Sequence, residues 1–218
     1  MHVRANAAVS ADGKLSTRRR ERLTISGEED FARVYRMRAE SDAVVVGVGT
    51  VLADDPSLLS HDETHRASVG KEGHPARVVA DSRARTPLDA DILAGAATTY
   101  LLVSDAASAD RVDALRDAGA KVVRAGDERV DLAAAFERLD ERGVSELMVE
   151  GGGELIFSLF DAGLVDELTT FVGGMVVGGR DAPTLADGEG FVDEFPALSL
   201  RGVEELDDGV VLTWSVEG

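Results

Sequence analysis

The chain has no cysteine among its 218 residues. Disulfides and thiol chemistry are therefore excluded, and so is the cysteine-ligated zinc of a nucleobase deaminase. Lysine is nearly as scarce: only Lys14, Lys71 and Lys121 stand among 23 basic residues. A long apolar run is missing too. The longest such stretch, in residues 43–56, is too short and too rich in glycine to span a bilayer. The start, Met1-His2-Val3-Arg4-Ala5-Asn6, lacks the apolar segment of a secretory signal, so a cytoplasmic location is expected. Internal repeats, linkers and low-complexity tracts are absent as well, which favours one domain over residues 1–218.

What is abundant is carboxylate. The net charge is −18, from 41 acidic against 23 basic side chains. A surface so acidic and so poor in lysine suits high salt, where screening removes self-repulsion, and a halophilic source is expected. Such a field also disfavours nucleic acid as a partner. Against this background residues 1–40 gather Arg4, Lys14, Arg18, Arg19, Arg20, Arg22, Arg33, Arg36 and Arg38 against six acidic residues. An acidic protein that concentrates arginine locally is equipped to hold an anion there.

The sharpest motif is Ala43-Val44-Val45-Val46-Gly47-Val48-Gly49-Thr50-Val51-Leu52-Ala53-Asp54-Asp55-Pro56. Four apolar residues predict a strand buried on both faces, the glycines a tight turn, and Thr50 the cap of a short helix stopped by Pro56. A strand that feeds a helix through glycines is a seat for phosphate or pyrophosphate. Glu146–Glu150 followed by Gly151-Gly152-Gly153-Glu154-Leu155-Ile156 repeats the pattern, with a helix expected to about Ala162. Two such seats suit the phosphates of a dinucleotide cofactor. The third glycine of the Rossmann fingerprint is missing after Gly47-x-Gly49, which argues against a conventional Rossmann dehydrogenase.

Elsewhere a strand is expected over 2–10, with Asn6, Ser10, Asp12 and Lys14 clustered near its end. Ser26-Gly27-Glu28-Glu29 reads as a capping box in which Ser26 accepts from Glu29. The helix it opens runs to about Ala39 and lines up Phe31, Val34, Tyr35 and Arg38, which makes Arg38 a better anion ligand than Arg33 or Arg36. Residues 60–75 read as a polar loop; its His61, His65 and His74 fall in no metal-ligand spacing, so no metal site is expected. Asp81-Ser82-Arg83-Ala84-Arg85 at a strand end is a candidate second phosphate site. Strands over 98–104 and 121–124, helices over 109–118 and from Asp131 to Arg142, a strand over 165–172, and a hairpin from Leu198–Glu205 and Gly209–Val216 complete a mostly parallel α/β sheet.

Taken in order, Ser10-x-Asp12-Gly13-Lys14, Arg38-Ala39, Gly49-Thr50-Val51-Leu52-Ala53-Asp54-Asp55-Pro56, Asp81-Ser82, Glu150-Gly151-Gly152 and Ala162-Gly163-Leu164-Val165-Asp166-Glu167-Leu168 resemble the riboflavin-biosynthesis reductases over nearly the whole chain. Within these the resemblance is to the archaeal 2,5-diamino-6-ribosylamino-4(3H)-pyrimidinone 5′-phosphate reductases. It implies a dihydrofolate-reductase-like three-layer sandwich with a mostly parallel central sheet and an antiparallel C-terminal hairpin, a homodimer, and NADPH as cofactor. It also implies reduction of the ribosylamino side chain to the ribitylamino product. Carried over residue by residue, Ala8, Thr24, Thr50, Asp54, Ser82 and the run from Gly152 to Ser158 (Gly152, Gly153, Glu154 and Leu155 foremost) match cofactor positions. Asn6, Arg22, Arg38, Leu58, His61 and Glu150 match substrate positions. Two departures stand out: His61 replaces an arginine frequent in the bacterial enzymes, and Asn6 replaces a lysine. The implied chemistry needs an acid near the imine nitrogen, a catalytic role expected of Asp54 with Glu150. Arg38, helped by Arg22, is expected on the ribose phosphate, and Ser82 with Arg83 or Arg85 on the 2′-phosphate of the cofactor. The competing expectations are a same-fold reductase of the deaminated pyrimidine or a pterin, and a nucleotide sensor without turnover.

Overall fold

The computed structural model describes residues 1–21 and 23–217. The chain divides into two compact units, one of Met1 with Tyr35–Met148 and one of His2–Val34 with Val149–Gly218. The mixed α/β fold has nine strands among the described residues, mostly parallel, with an antiparallel hairpin at the C-terminus.

In the Tyr35–Met148 unit the strands are β2 (Ala43–Gly47), β3 (Ala76–Ala80), β4 (Thr99–Val103), β5 (Lys121–Arg124) and β6 (Glu146–Val149), in the order β5-β4-β3-β2-β6. β2 through β5 pair in parallel. Their β-branched runs suit strands covered on both sides, and Ala43, Val44, Val45, Val78, Val79, Leu101 and Leu102 are fully buried. The helices are α2 (Val48–Asp54), α3 (Glu63–Ser68), α4 (Ala109–Asp117) and α5 (Leu132–Asp140). Ser108 and Asp131 cap α4 and α5 by accepting from Arg111 N and Ala134 N. The loop expected over 60–75 instead contains α3, capped by Asp62, whose side chain accepts from His65 N at 2.8 Å.

In the other unit β1 (His2–Ser10) pairs in parallel with β7 (Glu167–Gly173). β9 (Gly209–Val216) runs antiparallel to β7 and to β8 (Leu198–Leu206). Helix α6 (Gly153–Asp161) buries Leu155, Ile156 and Leu159. Helix α1 (Glu28–Glu40) begins in this unit and ends in the other. Its cap is not the expected Ser26. Asp207, in the β8–β9 turn, accepts from Gly27 N, Glu29 N and Asp30 N, the last at 2.9 Å. A carboxylate satisfies three first-turn donors and complements the helix dipole, which a serine hydroxyl does less well.

Candidate active site

In the Tyr35–Met148 unit the first glycine corner follows β2. Gly47 caps α2 and, lacking a side chain, supplies no acceptor to the first-turn N–H groups. Thr50 therefore lies within α2 rather than capping it; a short turn entered directly from β2 leaves the cap position to Gly47. Asp54 ends α2 on the exposed side, and Asp55 closes it in the left-handed region at φ 41°, accepting from Asp91 N at 2.9 Å. Gly47 is in register with Ala80 at the end of β3, so this corner and the Ser82 turn share the carboxyl edge of neighbouring parallel strands, where α/β sheets bind ligands.

Ser82 accepts from Val130 N at 3.0 Å through Oγ, which leaves its hydroxyl proton to be donated elsewhere. Behind it Asp81 is fully buried and takes Thr86 N and Thr86 Oγ1 on one carboxylate oxygen at 2.7 and 2.8 Å. Arg85 approaches the other oxygen at 3.8 Å, while Arg83 pairs with Glu128 at 3.6 Å. Both arginines are exposed.

The substrate-matched Arg38, Leu58 and His61 come together in the same unit. Arg38 Nη1 donates to Ser60 O at 2.9 Å and its guanidinium lies 5.8 Å from the centre of the Tyr35 ring. Leu58 is buried with φ 52°, and His61 Nδ1 is 2.8 Å from Leu59 O. His61 also meets His74 edge-to-face at 5.1 Å, and both line a cavity of about 350 Å³ together with Arg66, Lys71 and Glu63. Two buried arginines, neither marked by any motif, hold this region. Arg77 donates to the carbonyls of Ser57, Asp91, Ala94 and Ala97, and Arg66 to those of Ala39, Ser41 and Gly73. Burial pushes both guanidinium pKa values down; backbone oxygens surround both charges, and the Asp42 carboxylate partly offsets the shift at Arg66. Loop carbonyls carry no side-chain pattern, so nothing in the sequence signals either role.

In the second unit Asn6 and Ala8 are two apart on β1 and so share a strand face. Thr24 is exposed, and the Ile25 carbonyl beside it lies so close to Gly173 that a methyl there would come within 2.7 Å of it. Gly173 is in register with Ser10, which places Thr24 near the carboxyl end of β1. Ser10, Asp12 and Lys14 do cluster there, with Ser10 Oγ donating to Asp12 Oδ1 at 2.6 Å. Asn6 does not join them. It is buried and its Oδ1 accepts from Arg33 Nη2 at 2.8 Å.

The cluster turns out to be a clasp. Asp12 accepts from Val177 N and Gly178 N, and Lys14 Nζ donates to Ala182 O. The Ser10 hydroxyl and the two loop amides hold the Asp12 carboxyl down at about 2. Past β6, Glu150 is half-buried and Gly152 caps α6 without a side-chain hydrogen bond. Gly153 is buried under the 184–187 loop, and Asp187 N donates to Gly153 O. Glu154 is exposed, whereas Leu155 is buried and its N–H goes to Gly152 O at 3.0 Å. Arg22 lies outside the described residues. Among the arginines of α1, Arg33 is held by Asp30 and Asn6 with its side chain 13% exposed, Arg38 is half-buried like it, and Arg36 is exposed.

A profile described as the RibD C-terminal domain matches residues 1–212. The chain belongs to this family. It is 46% identical over 215 residues to the 2,5-diamino-6-ribosylamino-4(3H)-pyrimidinone 5′-phosphate reductase of Archaeoglobus fulgidus, covering 97% of this chain and 96% of that one. The reductase of the same name from Methanothermobacter thermautotrophicus is 44% identical over 220 residues, covering 100% and 99%. Among solved structures a pyrimidine reductase-like protein from Corynebacterium diphtheriae superposes with a TM-score of 0.80 at 18% identity, covering 100% of this chain and 92% of that one. The fold of this RibD C-terminal domain is accordingly the dihydrofolate-reductase-like one of that group.

Proposed function

We propose that residues 1–218 act as one reductase domain that uses NADPH to convert the ribosylamino side chain of a pyrimidinone 5′-phosphate to ribitylamino, in the cytoplasm, as a homodimer, within riboflavin biosynthesis. The observation that carries the reading is identity of 46% and 44% over almost the full length of two relatives that bear this activity as their name. The donor set fits the cofactor: two helices entered through glycine with no side-chain cap, and a Ser82 hydroxyl whose proton is available to a phosphate oxygen. Thr50 and the α2 corner, Ser82, Ala8, Thr24 and the Gly152–Glu154 corner are assigned to that group.

When bound, NADPH supplies a hydride. On the substrate, opening of the sugar ring breaks the C1′–O bond to leave an imine. Reduction at C1′ would require the imine nitrogen to take up one proton. Asp54 and Glu150 are assigned to holding that proton, Leu58 and His61 to the substrate body, and Arg38 with Arg22 to the phosphate. The acidic, lysine-poor surface favours assay in concentrated KCl.

The test is absorbance at the reduced nicotinamide band with the diamino and the deaminated pyrimidine side by side. Oxidation with the diamino compound is expected. Oxidation with the deaminated compound alone moves the substrate, and none with either leaves a nucleotide-binding protein without turnover. Arg38→Ala should raise KM for the phosphorylated substrate by about tenfold and leave that of its dephosphorylated analogue within twofold. Equal changes take the phosphate away from Arg38.

A further inference from the structure

Asp30, Arg33 and Asn6 form a buried relay, and the first two of these have no role above. Asp30 is 1% exposed, and Arg33 places both Nε and Nη2 at 2.8 Å from its Oδ1. The same Nη2 donates to Asn6 Oδ1 at 2.8 Å, and Asn6 is 6% exposed. Asp30 is itself fixed from behind, since its backbone N–H is held by Asp207.

A guanidinium has donors only, so the Asn6 atom that faces it has to be the carbonyl oxygen. Rotating the amide by a half turn would set N–H against N–H and leave the buried cation short of an acceptor. The Asn6 NH2 group is therefore turned away from Arg33, on the strand face that Ala8 shares. A buried ion pair adds little net stability compared with apolar residues of the same volume. One that also donates to an amide oxygen is well suited to fixing the orientation of that amide.

We infer that Arg33, anchored by Asp30, is a positioning residue that presents the Asn6 NH2 group to the substrate, and that the substrate atom it meets is a hydrogen-bond acceptor, an oxygen or unprotonated ring nitrogen of the pyrimidinone ribose phosphate. This rests on the proposed function.

Asn6→Asp separates orientation from folding. The carboxylate still accepts from Arg33, so the unfolding midpoint is kept or raised, but the end turned to the substrate becomes an acceptor. KM for the pyrimidinone phosphate is expected to rise at least about tenfold while KM for NADPH stays within twofold. An unchanged substrate KM in folded protein overturns the inference. Arg33→Lys retains a charge for Asp30 but not the fork that reaches both partners. In the substrate-free protein it should shift or broaden the Asn6 side-chain NH2 pair in a ¹⁵N–¹H spectrum. An unchanged pair also overturns the inference. If Arg33→Lys does not fold, Asn6→Asp decides alone. If the wild-type protein turns over no pyrimidinone, the proposed function fails, and the Arg33→Lys spectrum still reports whether Arg33 sets the amide.

Discussion

The two glycine corners look alike in sequence and differ in what the glycine is for. After β2, Gly49 is exposed, its φ is ordinary, and a methyl group built on it would meet nothing within 4 Å. After β6, Gly153 is buried, and a methyl group there would collide with the Thr184 carbonyl and come within 2.7 Å of an Asp187 carboxylate oxygen. Neither position needs the left-handed backbone that usually explains glycine. At Gly153 the protein's own loop occupies the space. At Gly49 the described residues leave it open, which is the room that the proposed cofactor contact needs. The same pattern therefore marks a packing requirement in one case and a candidate cofactor surface in the other.

The largest effect that could break this contrast is at the filled corner. Gly153→Ala should lower stability by about 2 kcal/mol, because a backbone carbonyl has to move to admit the methyl group. Urea unfolding checks it, and an unchanged midpoint would show that the 184–187 loop yields and that the two corners are the same. At the open corner the expectation separates stability from binding. Gly49→Ala should raise stability by up to about 1 kcal/mol, since alanine outranks glycine inside a helix. It should also raise KM for NADPH by roughly tenfold, from a methyl group placed against a phosphate that approaches the backbone closely. Stabilisation with KM unchanged would reduce the first corner to a structural turn.

How much of this was legible from residues alone depended on the range of the interaction. The hairpin of β8 and β9 was readable because its alternation and its Asp207-Asp208 turn are local. Helices α4 and α5 were readable because Ser108 and Asp131 cap them from the adjacent position. The α1 cap was not, because Asp207 lies 180 residues from Gly27 in the chain and outcompetes the serine one residue before it. Helix α3 was missed because Glu63–Ser68 shows no apolar stripe; Arg66 anchors it by reaching the carbonyls that end α1. Periodicity points to Arg38 by its apolar neighbours and gives no sign of the polar partners Asp30 and Asn6 that hold Arg33, because Asn6 lies on a different element. The positions of Ser82, Glu150 and Gly152 just past their strands were legible because strand ends are written locally, whereas Thr50 lies inside α2 and not at its cap.

The smallest expected effect sharpens the contrast by acting on the filled corner's loop alone. Asp12 has its pKa lowered from 3.8 to about 2 by the Ser10 hydroxyl and by the amides of Val177 and Gly178. A depressed carboxyl binds fewer protons in the folded than in the unfolded state, so its contribution is complete above about 3.8. It is lost as the pH falls through about 2. Between pH 4 and 2 the protection factors of the Val177 and Gly178 amides should fall, and the Lys14–Ala182 contact next to them should loosen. Amides of α2 serve as the internal control, because the open corner does not depend on this clasp. In Asp12→Asn the acid step should vanish, with the two amides already less protected at neutral pH. An acid step that survives in Asp12→Asn would assign it to another carboxylate and remove the clasp as the support of the loop over Gly153.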